Sequence, residues 1–214
     1  MRLMADGRKI VRRLLARYPQ PVLALEFSNP LELLVATILS AQCTDARVNE
    51  VTRSLFKKYR KARDYADADL RTFEAEIRST GFYRSKAKKV RECCRKLVDE
   101  FGGKVPDDPD AMATLPGVGR KTANMVLGNA FDRQAIAVDT HVLRVSNRLG
   151  LADTGNADKA EQALMEQIPK HKWTAFTNAM ILHGRETCTA RSPRCGACVI
   201  YEECEWPEKS RDRE

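Results

Sequence analysis

A glycine-rich turn and a lysine that could act together lie in one short stretch of the chain, residues 115–141. Gly117 and Gly119 predict a tight turn with uncovered backbone amides, and a helix then begins just before Lys121. A helix N-terminus binds phosphate because its amides and its dipole both favour an anion. The stretch therefore predicts an anion site with an amine beside it.

The same stretch can return a carboxylate to this lysine. A helix from Lys121 to Ala130 would be about 15 Å long, and the extended segment 131–138 can span up to about 26 Å. Asp139 can therefore lie beside Lys121. An amine and a carboxylate next to a phosphate site indicate covalent chemistry on a nucleic acid.

The composition fits a folded protein with a polyanionic partner. The chain has 214 residues, is 43% hydrophobic and carries a net charge of +8, enough for one large domain or two small ones. The charge favours nucleic acid, although a solvated basic surface is the alternative. No apolar run approaches the roughly 20 residues of a membrane helix, and no signal peptide is apparent. We therefore expect a cytoplasmic protein without a membrane partner.

Four of the seven cysteines crowd into the last 27 residues, as Cys188, Cys195, Cys198 and Cys204. This crowding and the odd total favour a metal site in a reducing compartment over disulfides. Four thiolates can bind Zn²⁺ or a [4Fe–4S] cluster, and the ligand type alone does not separate the two. Four unrelated core cysteines are the alternative, which the flanking arginine, proline and glycine residues argue against.

The elements that must position these groups are all predicted to be helices. Helix starts such as Asn29 followed by Pro30, and helix ends such as Gly150, separate segments with helical apolar spacing. The segment 85–101 is predicted to be a helix with its lysines and arginines, Lys86 among them, on a solvated face. Without an alternating strand pattern, the sequence predicts an all-α fold of about ten helices.

Four motifs in this order resemble the endonuclease III family of the helix-hairpin-helix superfamily. They are LSAQCTD at 39–45, LPGVGRKTA at 115–123, VDTH at 138–141, and the cysteine spacing at 188–204. The resemblance covers nearly the whole chain. It implies that the metal site is a [4Fe–4S] cluster with the four C-terminal cysteines as its ligands.

The resemblance also implies a bilobal helix-hairpin-helix DNA glycosylase fold. One continuous helical domain would span residues 22–132 and contain the hairpin. The other would join residues 1–21 to residues 133–214 and carry the cluster loop. Double-stranded DNA with damaged pyrimidines or abasic sites would bind between them, and we expect a monomer that associates with the nucleoid if the source is prokaryotic.

The activity implied is that of a DNA N-glycosylase with AP (apurinic/apyrimidinic) lyase activity, which removes oxidised pyrimidines and nicks the strand. Lys121 would attack the sugar C1′ and form a Schiff base, which permits β-elimination of the 3′ phosphate. Asp139 also precedes a helical segment and can cap it. A capping carboxylate suits stabilisation of the cationic sugar, so the two roles are compatible.

Several further residues are expected to contact DNA. By resemblance, Gln42 fills the gap left by the flipped base, and Phe82 with Tyr83 could form a wedge on the other strand, although core packing is the alternative for these aromatic residues. The other expected contacts are Gly117, Val118, Gly119, Arg120, His141, Arg191 and Arg194. A structural role is the alternative for His141.

Two other functions remain as alternatives. The first is a monofunctional glycosylase of the same superfamily, against which Lys121 argues because such relatives lack the nucleophilic lysine. The second is a non-catalytic iron–sulfur DNA-binding protein. Phosphate binding alone would require neither Lys121 nor Asp139, which argues against this second alternative.

Overall fold

The computed structural model describes residues 6–212, and these form an all-helical protein without a strand. The eleven α-helices are α1 (Gly7–Arg17), α2 (Pro30–Leu39), α3 (Asp45–Lys58), α4 (Ala62–Ala66), α5 (Leu70–Glu76), α6 (Tyr83–Glu100), α7 (Pro109–Ala113), α8 (Arg120–Ala130), α9 (Thr140–Leu149), α10 (Ala157–Gln167) and α11 (Trp173–Glu186). Single 3₁₀ turns lie at Arg78–Thr80, Lys170–Lys172 and Cys195–Ala197. The all-α prediction is confirmed for this part of the chain, in which no helix has the length and apolarity needed to cross a bilayer.

The chain divides into two compact units. The central unit is Leu23–Asp132, and the terminal unit joins Met1–Val22 to Arg133–Glu214. In each unit, the helices pack around buried side chains of that same unit.

The central unit is built around α2. Asn29 accepts a hydrogen bond from the Glu32 amide at 3.0 Å, and Pro30 occupies the first helical position, so the predicted start is confirmed. The helix is apolar nearly all round because α3, α6 and α8 all pack against it. Leu33, Leu34 and their neighbours are therefore fully buried.

An aromatic cluster holds the short helices of the central unit against α6. The rings of Tyr59 and Tyr65 stack with centroids 4.9 Å apart, and Phe73 meets both edge-on at 5.5 and 5.9 Å. Offset and edge-on arrangements are those that aromatic quadrupoles favour. Tyr65 and Phe73 are completely buried, so the cluster is part of the core.

In the terminal unit, the N-terminal helix α1 packs against α11 and binds the C-terminal loop. Lys9 and Arg13 form ion pairs with Glu203 at 2.8 and 3.3 Å, and the Glu203 side chain is only 4% exposed. Gly7 lies so close to the end of α10 that a Cβ there would come within 2.9 Å of the Gln167 carbonyl oxygen. The first and last parts of the chain are thus joined by direct contacts.

Two local expectations differ from the structure. The helix α4 (Ala62–Ala66) was not predicted, because its N-cap is Lys61, which is not a usual capping residue. Lys86 was predicted on the solvated face of α6 but is only 3% exposed. Its ammonium group binds two backbone carbonyl oxygens from other elements, a partnership that helical spacing does not reveal.

The buried and exposed phenylalanines of the central unit provide a matched test of this core. Phe73→Ala removes a fully buried ring and should destabilise the protein by about 3–5 kcal/mol. Phe82→Ala removes a ring that is 68% exposed and should change stability by less than about 0.5 kcal/mol. Urea unfolding of both variants would measure the difference. Equal losses would contradict the assignment of Phe73 to the core and Phe82 to the surface.

Candidate active site

The predicted helix-hairpin-helix is formed by α7, a turn and α8. The side chain of Asp108 caps α7 by accepting from the Ala111 amide at 2.9 Å. The turn is closed by a hydrogen bond of 3.1 Å from the Val118 amide to the Leu115 carbonyl, and both side chains are buried. Gly117 has a φ of +78°, which favours glycine. Buried apolar side chains thus anchor a turn whose two glycines are exposed.

Lys121 lies in the first turn of α8, where the helix N-terminus is open. The N-cap is Gly119, which has no side chain and so supplies no capping group. Helix N-terminal amides lack partners within the helix and carry partial positive charge, which favours an anion. Lys121 itself is exposed. The geometry of the central unit therefore agrees with an anion site next to an accessible amine.

Asp139 is the N-cap of α9 in the terminal unit. Its carboxylate accepts a hydrogen bond from the Val142 amide at 2.7 Å, so the capping role expected from the sequence is observed. The residues before it, Ile136 to Val138, are buried and lie outside any helix, and their burial fixes the direction from which the chain enters α9. The half-buried carboxylate is therefore held in one orientation at a positive helix end.

His141 packs between helices of the terminal unit. A Cβ at Gly184 would lie 2.9 Å from the His141 Cβ, so α9 and α11 approach closely at this point. Burial lowers the pKa of His141, and Arg144 and Arg185 act in the same direction against the opposing effect of Asp139. The imidazole is thus mainly uncharged at neutral pH. This environment favours the structural role, and contact with DNA stays a prediction.

Gln42 and Phe82 are exposed and have unusual backbone conformations. Their φ angles are +52° and +47°, in the left-handed region that disfavours residues other than glycine and asparagine. Such conformations cost on the order of 1–3 kcal/mol each and concentrate at functional sites. Phe82 is 68% exposed, whereas Tyr83 is half-buried. The exposure favours a wedge over core packing for Phe82, while Tyr83 is only partly accessible.

The four C-terminal cysteines line one common cavity of the terminal unit. Arg148 and Trp206 are among the other residues that line it. Burial raises the pKa of the Cys198 thiol to about 12, so a thiolate here requires a cation. Within residues 6–212, no group of metal-ligating side chains is close enough together to hold a single metal ion. Four thiols around one cavity are a donor set that both a zinc site and an iron–sulfur cluster use, so the donor type alone does not separate the two.

Cationic side chains surround this cavity. Arg148 donates to the Cys188 Sγ at 3.2 Å and to the carbonyl oxygen of Thr189 at 2.8 Å. Arg144 donates to the Cys188 carbonyl at 2.9 Å, and Lys209 donates to the Cys204 carbonyl at 2.6 Å. Donors and positive charges around thiolates are the surroundings that an anionic cluster requires. These residues were not identified from the sequence, because each belongs to an ordinary helical or loop pattern.

The two arginines of the cysteine loop differ in their surroundings. Arg191 is exposed. Arg194 is also exposed, but its guanidinium donates to the Glu186 carbonyl at the end of α11, through Nε at 3.0 Å and through Nη2. Arg194 thus connects the loop to a helix C-terminus, where a cation is favourable. Phosphate contacts by either arginine stay predictions.

The predicted site residues are divided between the two units. The central unit contains Gln42, Phe82, Tyr83, the residues of the hairpin turn, Arg120 and Lys121. The terminal unit contains Asp139, His141, Arg191, Arg194 and the four C-terminal cysteines. Within the terminal unit, the structure brings the cysteines together around one cavity.

Comparison with protein families gives two matches. Residues 35–170 match the HhH-GPD superfamily of base excision DNA repair proteins. Residues 188–204 match the iron–sulfur binding domain of endonuclease III. The first match covers more than half of the chain and includes the hairpin, and the second covers all four cysteines of the cavity.

Individual proteins agree with these families. Endonuclease III of Synechocystis sp. is 49% identical over 188 residues, which are 87% of this chain and 86% of that protein. Endonuclease III of Bacillus subtilis is 45% identical, over 92% of this chain and 90% of that protein. A solved structure of a trapped covalent endonuclease III–DNA intermediate is 45% identical, with a TM-score of 0.89 and coverage of 94% of this chain and 97% of that one. The chain therefore belongs to the endonuclease III family of the HhH-GPD superfamily, and it is a base-excision DNA glycosylase with AP lyase activity that carries a [4Fe–4S] cluster.

Proposed function

We propose that Lys121 is the nucleophile of this enzyme and that its substrates are oxidised pyrimidines and abasic sites in double-stranded DNA. The observation that carries the proposal is the exposed amine in the first turn of α8, whose N-terminus is open at Gly119. The covalent endonuclease III–DNA intermediate supports it, because a covalent intermediate requires a nucleophile on the protein.

The reaction uses the amine in two steps. The neutral amine of Lys121 forms a bond to C1′ of the sugar as the glycosidic bond breaks, and the electron pair of that bond leaves with the base, which takes up a proton. The attached nitrogen then loses a proton, its electron pair forms a double bond to C1′ as the C1′–O4′ bond breaks, and O4′ takes up a proton, which gives the ring-opened Schiff base. A proton is then lost from C2′, and the electron pair released there expels the 3′ phosphate, which nicks the strand. At an abasic site, the amine condenses with the C1′ aldehyde and releases water before the same elimination.

Asp139 acts through its charge in this proposal. Breaking the glycosidic bond leaves positive charge on the sugar, which an oriented carboxylate stabilises more in the transition state than in the ground state. The hydrogen bond from the Val142 amide fixes one carboxylate oxygen and so limits the rotation of the group. The Asp139 side chain thus has two functions: it caps α9, which orients its carboxylate, and it stabilises the sugar.

The hairpin holds the DNA backbone and does not read the bases. The amides near Gly117, Val118 and Gly119 would donate to a phosphate, with Arg120 beside them. Arg191, Arg194 and His141 are the further contacts proposed from the sequence. Backbone contacts of this kind carry no sequence information, as a repair enzyme that works throughout a genome requires.

Gln42 would fill the space vacated by the flipped nucleotide, and Phe82 would form a wedge on the other strand. Their exposure on fixed turns of the central unit supports this role, since an inserted side chain must be accessible before DNA binds. Tyr83 would support the Phe82 ring from its half-buried position.

Cys188, Cys195, Cys198 and Cys204 would hold the [4Fe–4S] cluster. When bound, the cluster supplies four iron–thiolate bonds that cross-link a loop with little apolar core of its own. The chain's own cations, Arg144, Arg148 and Lys209, would balance the cluster charge from their observed positions. We further propose a monomer that acts on chromosomal DNA in the cytoplasm, as suits a chain so similar to bacterial repair enzymes.

The nucleophile is tested by trapping the Schiff base. Incubation with abasic DNA and borohydride should link the wild-type chain covalently to DNA, because reduction makes the Schiff base permanent. Lys121→Gln should form no adduct, as an amide cannot form a Schiff base. Lys88→Gln, a change of an exposed lysine on α6, should trap as the wild type does. An adduct of undiminished yield with Lys121→Gln would refute the assignment.

The two roles of Asp139 can be separated because asparagine also caps helices well. Asp139→Asn should keep stability within about 0.5 kcal/mol and still reduce the rate of base removal roughly 100-fold, since only the charge is lost. Asp139→Ala should additionally lose about 1 kcal/mol of stability. Single-turnover assays and urea unfolding measure the two effects. Asp69→Asn at the α5 N-cap is the control and should retain activity, and a fully active Asp139→Asn would leave Asp139 as a cap only.

The two glycines of the hairpin should respond differently to alanine. Gly117→Ala should cost about 1–2 kcal/mol because φ is +78° and the new Cβ would lie 3.1 Å from the Lys89 Cβ. Gly119 has a φ of −89°, and no heavy atom of residues 6–212 lies within 4 Å of a Cβ built there. Gly119→Ala should therefore fold normally.

The same variant tests phosphate binding. The Gly119→Ala methyl group would enter the open space at the α8 N-cap, where a phosphate would bind, so the Kd for duplex DNA should rise roughly 10-fold, equivalent to about 1.4 kcal/mol. Binding titrations over a range of salt concentrations would measure this change. Wild-type affinity in Gly119→Ala would argue that the hairpin does not hold a phosphate.

A further inference from the structure

A buried lysine with no place in the chemistry described above lies below the surface of the central unit. Lys86, in the second turn of α6, is 3% exposed. Its ammonium group donates to the carbonyl oxygens of Leu39 and Thr80, both at 2.7 Å. Burial of a lysine without strong partners is unfavourable, so these two hydrogen bonds account for its presence there.

Both carbonyls belong to the C-terminal ends of other helical elements. Leu39 is the last residue of α2, and Thr80 is the last residue of the 3₁₀ turn Arg78–Thr80. Helix C-termini carry partial negative charge and carbonyls without helical partners, which a cation satisfies. The last turn of α2 contains no basic residue of its own. Lys86 supplies that cation from α6 and connects the ends of two elements.

The chain beyond each of these carbonyls leads directly to a proposed DNA-probing residue. Gln42 follows Leu39 by three residues, and Phe82 follows Thr80 by two. Both probing residues are exposed and both have positive φ. Between Thr80 and Phe82 lies Gly81, with φ of +71° and ψ of 157°, a conformation that only glycine adopts readily. Lys86 is therefore hydrogen-bonded to the residues from which two turns begin, the turn that carries Gln42 and the turn that carries Phe82.

We propose that Lys86 is a positioning residue that holds the turns of Gln42 and Phe82 at a fixed spacing, so that both side chains enter damaged DNA together. This inference rests on the proposed function of Gln42 and Phe82. Insertion of Gln42 into the gap and of Phe82 into the other strand requires both side chains in place at once, and fixing them in advance removes the entropy of ordering two separate turns at that moment. Lys86 touches no DNA in this role and acts only through the two residues.

The electrostatic surroundings of Lys86 agree with a fixed hydrogen-bonding role. Burial lowers the pKa of Lys86, while the Cys43 side chain in the Gln42 turn acts in the opposite direction. Both hydrogen-bond acceptors are main-chain carbonyl oxygens, so the two hydrogen bonds restrain the backbone of the two turns directly. Removing the ammonium group would leave two buried acceptors unpaired and free the turns from each other.

The test is a mutant cycle on the full chain. Lys86→Met, which keeps the aliphatic length but removes the donors, is combined with Gln42→Ala and Phe82→Ala. Base removal from a duplex with one oxidised pyrimidine is measured in single-turnover conditions. In the wild-type background, Lys86→Met should slow base removal roughly 10-fold, and in the Gln42→Ala, Phe82→Ala background by less than about two-fold. Lys88→Met, an exposed lysine on the same helix, is the matched control and should behave as the wild type.

A spectroscopic measurement distinguishes positioning from general damage to the fold. A fluorescent adenine analogue placed opposite an abasic site reports unstacking when side chains enter the gap. Lys86→Met should reduce the fluorescence change while leaving the Kd for undamaged duplex within about two-fold of wild type. Lys86→Arg, which retains donors and charge, should recover part of the signal. If Lys86→Met does not fold, Lys86→Gln, whose amide can donate to one carbonyl, takes its place in the cycle.

The outcomes separate the two proposals. An equal loss from Lys86→Met in both backgrounds, or no loss in the wild-type background, would overturn the positioning role. Wild-type base removal by Gln42→Ala with Phe82→Ala would instead refute the probing role on which the inference rests. A loss confined to the wild-type background, together with the reduced fluorescence change, supports both.

Discussion

The positive N-terminal ends of α8 and α9 are the electrostatic feature on which the chemistry depends, because the two proposed catalytic side chains lie at them. At α8, Gly119 leaves the helix end open for an external anion, and Lys121 stands in the first turn. At α9, the carboxylate of Asp139 closes the end by accepting from the Val142 amide. A helix end can favour a phosphate or a carboxylate equally well. The identity of the N-cap therefore decides whether a helix end is open to an external anion, as at α8, or is closed by the protein's own carboxylate, as at α9.

The loop that carries Cys188, Cys195, Cys198 and Cys204 is held by polar contacts, whereas other parts of the protein are held by apolar packing. Arg144, Arg148 and Lys209 donate mainly to main-chain carbonyls of the loop, and Glu203 is held by two cations of α1. Because burial raises the pKa of the Cys198 thiol to about 12, the thiolate is stable in this position only when bound to metal. Cluster binding by these cysteines would thus be energetically linked to the structure of the loop.

The sequence predicted features that depend on neighbouring residues and missed those that depend on distant ones. Asn29 and Asp139 were recognised as caps because a cap and its amide partner lie within three residues. Burial of Lys86 was missed because its partner Leu39 lies 47 residues away, and the helical pattern of α6 does not record it. The positive φ of Gln42 and Phe82 was also missed, since neither residue type favours that conformation.

The features that the sequence did not predict, the burial of Lys86 and the positive φ of Gln42 and Phe82, all lie in α6 or in turns that α6 contacts. Lys86 and Lys89 are three residues apart on α6, and residues at this spacing lie on the same side of a helix. The Lys86 ammonium binds the bases of the Gln42 and Phe82 turns, while the aliphatic stem of Lys89 lies directly beneath Gly117 of the hairpin. These exposed turns are thus supported from α6, by the buried ammonium group of Lys86 in two cases and by the stem of the exposed Lys89 in the third. Helix α6 thus contacts the hairpin turn and the turns of both Gln42 and Phe82.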